Sequence, residues 1–287
     1  MALQIADCRD IAPERLCFAV NDTFSDYVVP LTMTESQFVD FQRQRGFSPE
    51  HFFVALDGDR IAGFWFSSEP LKSYGNRGYT LSVGTSPQFR RQGISRHLFL
   101  AVSKALNVAG ASGMQLEVVT SNPNAVATYE AFGFDKIRNL GVFKLPKRNV
   151  KTPENQADGV RIEVAENLPS DTVDFFDALP TPQNSQAAVD GLKSKTGIVL
   201  AKGDDNLIGW GAVYADGAVA QIAVRRDMRR QGVGRLLLAE LANQISSDQL
   251  MFVNVDEDAA SLNGFLTGVG AEQVLSQFEM QKTFAAA

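Results

Sequence analysis

Two short segments of the chain combine arginine and glycine in the same order. The string Arg-Arg-Gln-Gly begins at Arg90, within "QFRRQGISRHLFLAV", and again at Arg229, within "DMRRQGVGRLLLAEL". A glycine-containing loop that opens a helix presents unpaired backbone N–H groups at the positive end of the helix dipole, and arginines at its rim add charge-assisted contacts. A solvated turn would have the same composition, but the repetition favours a chemical role. The two strings therefore predict two binding sites for a phosphate-like anion.

The elements around the two strings also recur. Before each string, strand-like runs enclose a tight turn, at Asp57–Asp59 in the first half and at Gly203–Asn206 in the second. After each string, apolar residues recur at i+4, as in an amphipathic helix, and a short strand, a second helix and a closing strand follow. Each half is therefore predicted as a strand, one or two helices, three antiparallel strands, a helix, a strand, a helix and a strand. This order predicts an α+β fold with helices packed on a mixed sheet.

The repeat also predicts the division of the chain. The two strings lie about one domain length apart. Pro146–Gly159 is polar and contains two prolines, which makes it the best candidate for a linker. We therefore expect two tandem domains, at residues 1–148 and 158–287.

Composition excludes several classes of function. The formal net charge of −6 works against nucleic acid or a membrane as the main partner. No apolar run reaches the roughly 20 residues of a membrane helix, and the N-terminus does not read as a secretory signal, so we expect a cytoplasmic protein, either a monomer or a homodimer. Two cysteines and two histidines predict free thiols and provide too little material for a metal cluster or a Ser-His-Asp site. These residues are Cys8, Cys17, His51 and His97.

At the arginine-glycine strings the sequence resembles the GNAT (Gcn5-related) N-acetyltransferases. Their signature, Arg/Gln-x-x-Gly-x-Gly/Ala, is complete in the second copy, which has Arg229, Gly232 and Gly234. The first copy has Arg90 and Gly93 but Ser95 at the last position. Tandem members of this family exist, and mycothiol synthase is one of them.

A second motif strengthens the resemblance in the first half only. The segment "NPNAVATYEAFGF" places Asn122, Tyr129 and Gly133 in the family's register. When Gly270 is aligned with Gly133, Leu266 takes the place of the tyrosine in the second half. The second half therefore has the better phosphate loop and the poorer catalytic motif.

The resemblance implies a fold, a cofactor and a set of contacts. Each domain is expected to splay the strand before the loop from the strand after its helix, and acetyl-CoA, the acyl donor, would lie between them, without a metal. Asn122 with Pro123 behind it also fits a helix N-cap, which we expect to be its main role. The residues expected to bind the cofactor are Val83, Thr85, Arg90, Arg91, Gln92, Gly93, Ser95 and Asn122 in the first half and Ile222, Val224, Arg229, Arg230, Gln231, Gly232 and Gly234 in the second.

The resemblance also implies direct attack of an amine on the thioester. Tyr129 is then the general acid that protonates the departing thiolate. Glu117, a water chain and a backbone carbonyl all remain open as the general base. The acceptor, an amine of a small molecule or a peptide, is expected at Phe24, Asp26, Tyr27 and Glu117.

Three functional interpretations follow from these motifs. The first is an acetyltransferase whose first half is catalytic and whose second half binds acyl-CoA in a supporting role. The second makes the second half catalytic, since its loop is complete. The third is an acyl-CoA sensor without catalysis.

Overall fold

The computed structural model describes residues 3–26, 32–153, 159–170 and 172–285. The chain forms two compact units, one of Met1–Ile137 with Phe278–Ala287 and one of Arg138–Gln277. No helix within the described ranges is long and apolar enough to cross a membrane.

The first unit is a mixed sheet with helices on both faces. Its strands follow the order β1-β2-β3-β4-β5, and the last part of β12 lies beyond β5. The β4–β5 pair is parallel, and the pairs from β1 to β4 are antiparallel. The elements are β1 (Gln4–Asp7), α1 (Pro13–Thr23), α2 (Glu35–Gln44), β2 (Phe52–Asp57), β3 (Arg60–Leu71), β4 (Arg77–Thr85), α3 (Ile94–Val108), β5 (Gly113–Val119) and α4 (Pro123–Ala131).

The second unit repeats this plan. Its strands follow the order β6-β11-β10-β9-β8-β7, and the first part of β12 lies on the other side of β6. Only β10 and β11 pair in parallel among the ladders from β6 to β7. The elements are β6 (Asp135–Pro146), β7 (Val160–Ala165), α5 (Gln186–Gly191), β8 (Thr196–Gly203), β9 (Asn206–Tyr214), β10 (Ala218–Val224), α6 (Val233–Asn243), β11 (Gln249–Asp256), α7 (Ala260–Gly268) and β12 (Glu272–Thr283).

The predicted α+β fold with two tandem domains of mostly antiparallel strands flanked by helices is confirmed. The compact units differ from the predicted ranges 1–148 and 158–287, because each closing strand passes into the other unit: β6 enters the second unit at Arg138, and β12 enters the first at Phe278. The sequence does not show which strand a closing strand pairs with. The two possible partners lie far away in the chain, and both have the same alternating pattern.

Apolar side chains fill both faces of the first unit's sheet. One cluster, with Trp65, Leu98 and Met114, lies under α3, and another, with Phe38 and Phe66, lies under α1 and α2. All five of these side chains are buried. Full burial of each such side chain contributes about 1.5–3 kcal/mol, so these layers hold the central strands rigidly in place.

Candidate functional site

In the first unit the site begins where two central strands part. β4 and β5 pair only from Arg77 with Gly113 to Tyr79 with Gln115. Beyond Tyr79 and Gln115 this ladder ends, although both strands continue. Backbone N–H and C=O groups at such an opening are available to an extended ligand, as an additional strand would be.

The second unit has the same opening, and a cavity of about 490 Å³ lies there. β10 and β11 pair only at Ala218 with Met251 and at Val219 with Phe252. The cavity is lined by both strands past these pairs, by the loop before α6, by α7 and by residues 175–180. Among its lining residues are Ile222, Val224, Arg229, Arg230, Gly232 and Gly234, all of them predicted to bind the cofactor.

The two arginine-glycine loops share one backbone conformation. Arg91 and Gly93 have φ of +63° and +76°, and Arg230 and Gly232 have φ of +64° and +88°. A Cβ atom at either glycine would meet nothing within 4 Å. The left-handed backbone, and not a lack of space within the chain, therefore requires glycine here. Each loop leads into the start of a helix that has no side-chain cap, which suits an anion.

The first arginine of each loop is held by the protein itself. Arg90 donates to Thr85 O at 3.3 Å and pairs with Asp26 at 2.6 Å. Arg229 donates to Val224 O at 3.0 Å and pairs with Asp177 at 2.6 Å. These arginines tie each loop to the end of the preceding strand and to the segment that carries the aspartate. That segment follows α1 in the first unit and β7 in the second.

The other predicted cofactor residues line the same region. The second arginines, Arg91 and Arg230, are exposed. Gln92 donates to Gln88 O at 3.4 Å, and Gln231 donates to Asp227 O at 3.0 Å, so both amides brace their own loops. Val83 contacts the core under α3. The hydroxyls of Thr85 and Ser95 lie 3.3 Å apart, which joins the end of β4 to the first turn of α3.

Glu117 lies on β5 just past the last paired residue. Its Oε2 accepts a hydrogen bond of 2.7 Å from the hydroxyl of Tyr79. Tyr79 is buried, and burial, followed by the charge of Glu117, raises the pKa of this phenol well above its usual range. Tyr79 therefore stays a donor that holds the carboxylate in place. The sequence does not single out Tyr79, because only the strand pairing shows that it meets Glu117.

Tyr129 lies on α4, which directly follows β5. Its half-buried ring stands edge-on to Trp65, with 5.9 Å between the ring centroids, and to Phe134 at 5.8 Å. Asn122 caps this helix as expected: its side chain accepts from the backbone N–H of Ala125 at 3.1 Å. Glu117 and Tyr129 thus extend from consecutive elements of the first unit.

The second unit has different residues at the matching positions. Asn254 takes the place of Glu117, and the fully buried Leu266 takes the place of Tyr129. The amide of Asn254 donates to Thr181 Oγ1 at 3.0 Å and accepts from Gln277 at 2.5 Å. Neither of these two side chains in the second unit is an acid or a base.

The residues expected to meet the acceptor have varied surroundings. The ring of Phe24 packs edge-on against Phe64, with 6.1 Å between centroids. Asp26 is bound by Arg90, whose guanidinium lowers the pKa of that carboxyl. Tyr27 lies outside the described residues. Among the described residues, no group of three or more His, Cys, Asp or Glu side chains could hold a metal ion.

Comparison with known proteins places this geometry in a family. A model of the acetyltransferase (GNAT) family matches residues 19–134, and a model of the acetyltransferase (GNAT) domain matches residues 164–281. The chain is 32% identical over 112 residues, 36% of its length, to an N-alpha-acetyltransferase of Saccharolobus solfataricus. It is also 32% identical over 108 residues, 37% of its length, to a mycothiol acetyltransferase of Catenulispora acidiphila. These matches span 65% and 34% of the two relatives, less than two thirds of either.

A solved structure shares the whole arrangement. The tandem GNAT protein from the clavulanic acid biosynthesis pathway superposes with a TM-score of 0.72, covering 100% of both chains at 15% sequence identity. At that identity the likeness concerns the fold. Two family matches in tandem, on two units with the same splayed strands, show that the chain belongs to the GNAT acetyltransferase family.

Proposed function

We propose that the first unit transfers an acetyl group from acetyl-CoA to an amine. The observation that carries this proposal is the placement of Glu117 just past the end of the β4–β5 ladder, with Tyr129 on the helix that follows. A carboxylate can accept a proton from the incoming amine, and a phenol can give one to the departing thiolate. The second unit has Asn254 and Leu266 at these positions.

The residues of the first unit divide the reaction among them. The loop from Arg90 to Ser95 would hold the pyrophosphate of acetyl-CoA, and the open edges of β4 and β5 its pantetheine arm. The acceptor nitrogen attacks the thioester carbonyl, so that a C–N bond forms and the C–S bond breaks. Backbone N–H groups at the opening would stabilise the negative charge that develops on the carbonyl oxygen. Starting from an ammonium, the nitrogen loses two protons. The first leaves through Glu117, and the second makes up for the proton that Tyr129 gives to the thiolate, so that one proton is released overall.

The acceptor belongs to the class of primary amines. The archaeal relative is named as an N-alpha-acetyltransferase, which favours the α-amine of a peptide, and amines of small molecules remain acceptors of the same chemistry. The site would bind such an amine from the side of Phe24 and Asp26, since Arg90 joins that segment to the loop.

A second function fits the second unit. Its cavity of about 490 Å³ and its complete loop suit acyl-CoA, while Asn254 and Leu266 provide neither a base nor an acid. We propose that this unit binds acyl-CoA without transferring the acyl group. Bound ligand stabilises the folded unit by mass action, so this site would support the protein or sense the cofactor level.

Matched substitutions in the two loops test both proposals. Valine at Gly93 or Gly232 would be strained in the same way, because both glycines have positive φ and open space around the Cβ position. We expect Gly93→Val to lower turnover at least about tenfold, and Gly232→Val to leave turnover within about twofold while weakening one acetyl-CoA site about tenfold. Turnover is measured on an amine found by screening peptides and small molecules, and binding by calorimetry.

A second matched pair of substitutions tests the same two loops in case the valine variants misfold. Arg91→Gln and Arg230→Gln remove equivalent exposed cations without straining the backbone, and circular dichroism checks the fold of all four variants. If the Gly232→Val protein loses turnover and the Gly93→Val protein keeps it, catalysis belongs to the second unit. If the wild-type protein binds acetyl-CoA but acetylates no amine, it is a sensor.

A further inference from the structure

A buried carboxylate from the last strand lies beside the first unit's site. Glu279 is on β12, in the part that belongs to the first unit, and is only 5% exposed. The N–H of Phe284 donates to Ser112 O at 2.9 Å, and the carbonyl of Lys282 lies against Gly113. These two contacts run in opposite directions along the two strands, as in an antiparallel pair. Counting back along the strands from them puts Glu279 across from Glu117.

Residues directly across from each other in a strand pair share one face of the sheet. Both carboxylates act on the same buried hydroxyl: after burial itself, Glu117 and, more weakly, Glu279 raise the pKa of Tyr79, while Arg45 acts in the opposite direction. The guanidinium of Arg45 lies 4.3 Å from the centre of the Phe41 ring. Two carboxylates and one guanidinium leave a net negative charge around Tyr79.

The sheet itself does not require these charges. In the second unit, the alignment of Gly270 with Gly133 puts Val142 at the position of Glu279, and this residue of β6, the strand that pairs with β11, is buried and uncharged. Burying a carboxylate is costly unless something compensates its charge, and the amide of Gln281, which donates to Glu279 Oε1 at 3.3 Å, brings a hydrogen bond without a charge. The first unit therefore carries a second carboxylate at a position where the second unit has a valine.

We propose that Glu279 is a second acidic residue of the first unit's acceptor site and binds the acceptor as an ammonium cation. This inference rests on the proposed acetyl transfer. Aliphatic amines are mostly protonated at neutral pH, so the cation is the abundant form to capture. Glu279 keeps its charge and holds the ammonium group, and Glu117 takes the proton that must leave before the nitrogen attacks. Glu279 is then a specificity residue for cationic acceptors.

Kinetics of Glu279→Gln test this role, since glutamine keeps the shape and removes the charge. We expect KM for the amine acceptor to rise about tenfold, the loss of one charge-assisted contact, while kcat and KM for acetyl-CoA stay within about twofold. Benzyltrimethylammonium, a cation that cannot be acetylated, should compete with the acceptor, and its inhibition constant should rise to the same extent. Glu272→Gln, at the exposed start of the same strand, is the matched control and should change none of these values.

Other outcomes separate this inference from the proposed function. An unchanged KM and inhibition constant in a folded Glu279→Gln protein, or a fall in kcat alone, would overturn the role of Glu279 and leave acetyl transfer intact. Full activity of Glu117→Gln, or no turnover by the wild type, would overturn the proposed base instead. Calorimetric binding of benzyltrimethylammonium then still tests Glu279, and Glu279→Asp, which restores the charge, should recover part of the affinity.

Discussion

At the scale of single residues, the packing of the Tyr129 ring and the role of its hydroxyl can be tested separately. Tyr129→Phe keeps the contacts with Trp65 and Phe134 and deletes only the oxygen. Because the phenol is expected to protonate the thiolate, we expect kcat to fall roughly 10²-fold, with acetyl-CoA affinity and the unfolding temperature unchanged. Steady-state kinetics on the screened acceptor measure the effect.

The control for this substitution is Tyr214→Phe. Tyr214 lies in the second unit, where its hydroxyl donates to Gln183 O at 3.4 Å. Removing this hydroxyl should therefore leave turnover unchanged. If the Tyr129→Phe protein keeps more than about a third of the wild-type kcat, Tyr129 is only a packed aromatic.

Residues differ in how far the sequence reveals them. Asn122 was predicted as a helix cap because its partner, the N–H of Ala125, is three residues away, and this is confirmed. Tyr79 and Glu279 were not predicted, because each meets Glu117 through strand pairing or register across distant parts of the chain. The roles of Glu117 and Tyr129 in catalysis stay predictions.

At the scale of elements, the helix α7 receives its N-terminal cap from a distant residue. Ala259 precedes this helix and has no side chain that could accept a hydrogen bond. Asp177 supplies one from the segment after β7: its Oδ2 accepts from the N–H of Leu262 at 3.2 Å, while its Oδ1 pairs with Arg229. One carboxylate thus joins the loop at Arg229, the start of α7 and a wall of the cavity.

We expect Asp177→Ala to destabilise the protein by about 1–3 kcal/mol, because it removes a helix cap and leaves Arg229 without its carboxylate. Acetyl-CoA binding in the second unit should weaken as well, since the cavity wall loses its anchor. Urea unfolding and calorimetry measure the two effects. Asp174→Ala, which removes an exposed carboxylate nearby, is the control, and equal stability of the two variants would contradict the capping role.

The order of elements could be predicted because it depends on local patterns. Turn residues, alternation and i+4 spacing lie within one segment, and the predicted succession of strands and helices is confirmed in both halves. The ion pairs of Arg90 and Arg229 could not be predicted, because Asp26 and Asp177 are more than fifty residues away in the sequence.

At the scale of the whole molecule, the second part of the last strand, from Phe278 onwards, belongs to the first unit. Met280 is fully buried in the cluster under α3, and β12 flanks β5. We expect removal of residues 278–287 to unfold the first unit, because a core methionine alone is worth about 2–5 kcal/mol and the edge of β5 would be exposed. Circular dichroism and limited proteolysis measure the loss of structure.

Removal of residues 285–287 alone is the control and should leave both units folded. A truncated chain that still shows a protease-resistant first unit would contradict the assignment of the second part of β12 to that unit. The cytoplasmic location and the monomeric or homodimeric state stay predictions at this scale.

The crossing of β12 also affects how the protein is made. Residues 138–277, the entire second unit, are synthesised between the two parts of the first. At about 5–20 residues per second, a ribosome needs roughly 7–28 s for these 140 residues. During that time the edge of β5 lacks its partner, so the first unit cannot complete its sheet until the final strand emerges. The enzyme we propose would thus become active only once both halves have been translated.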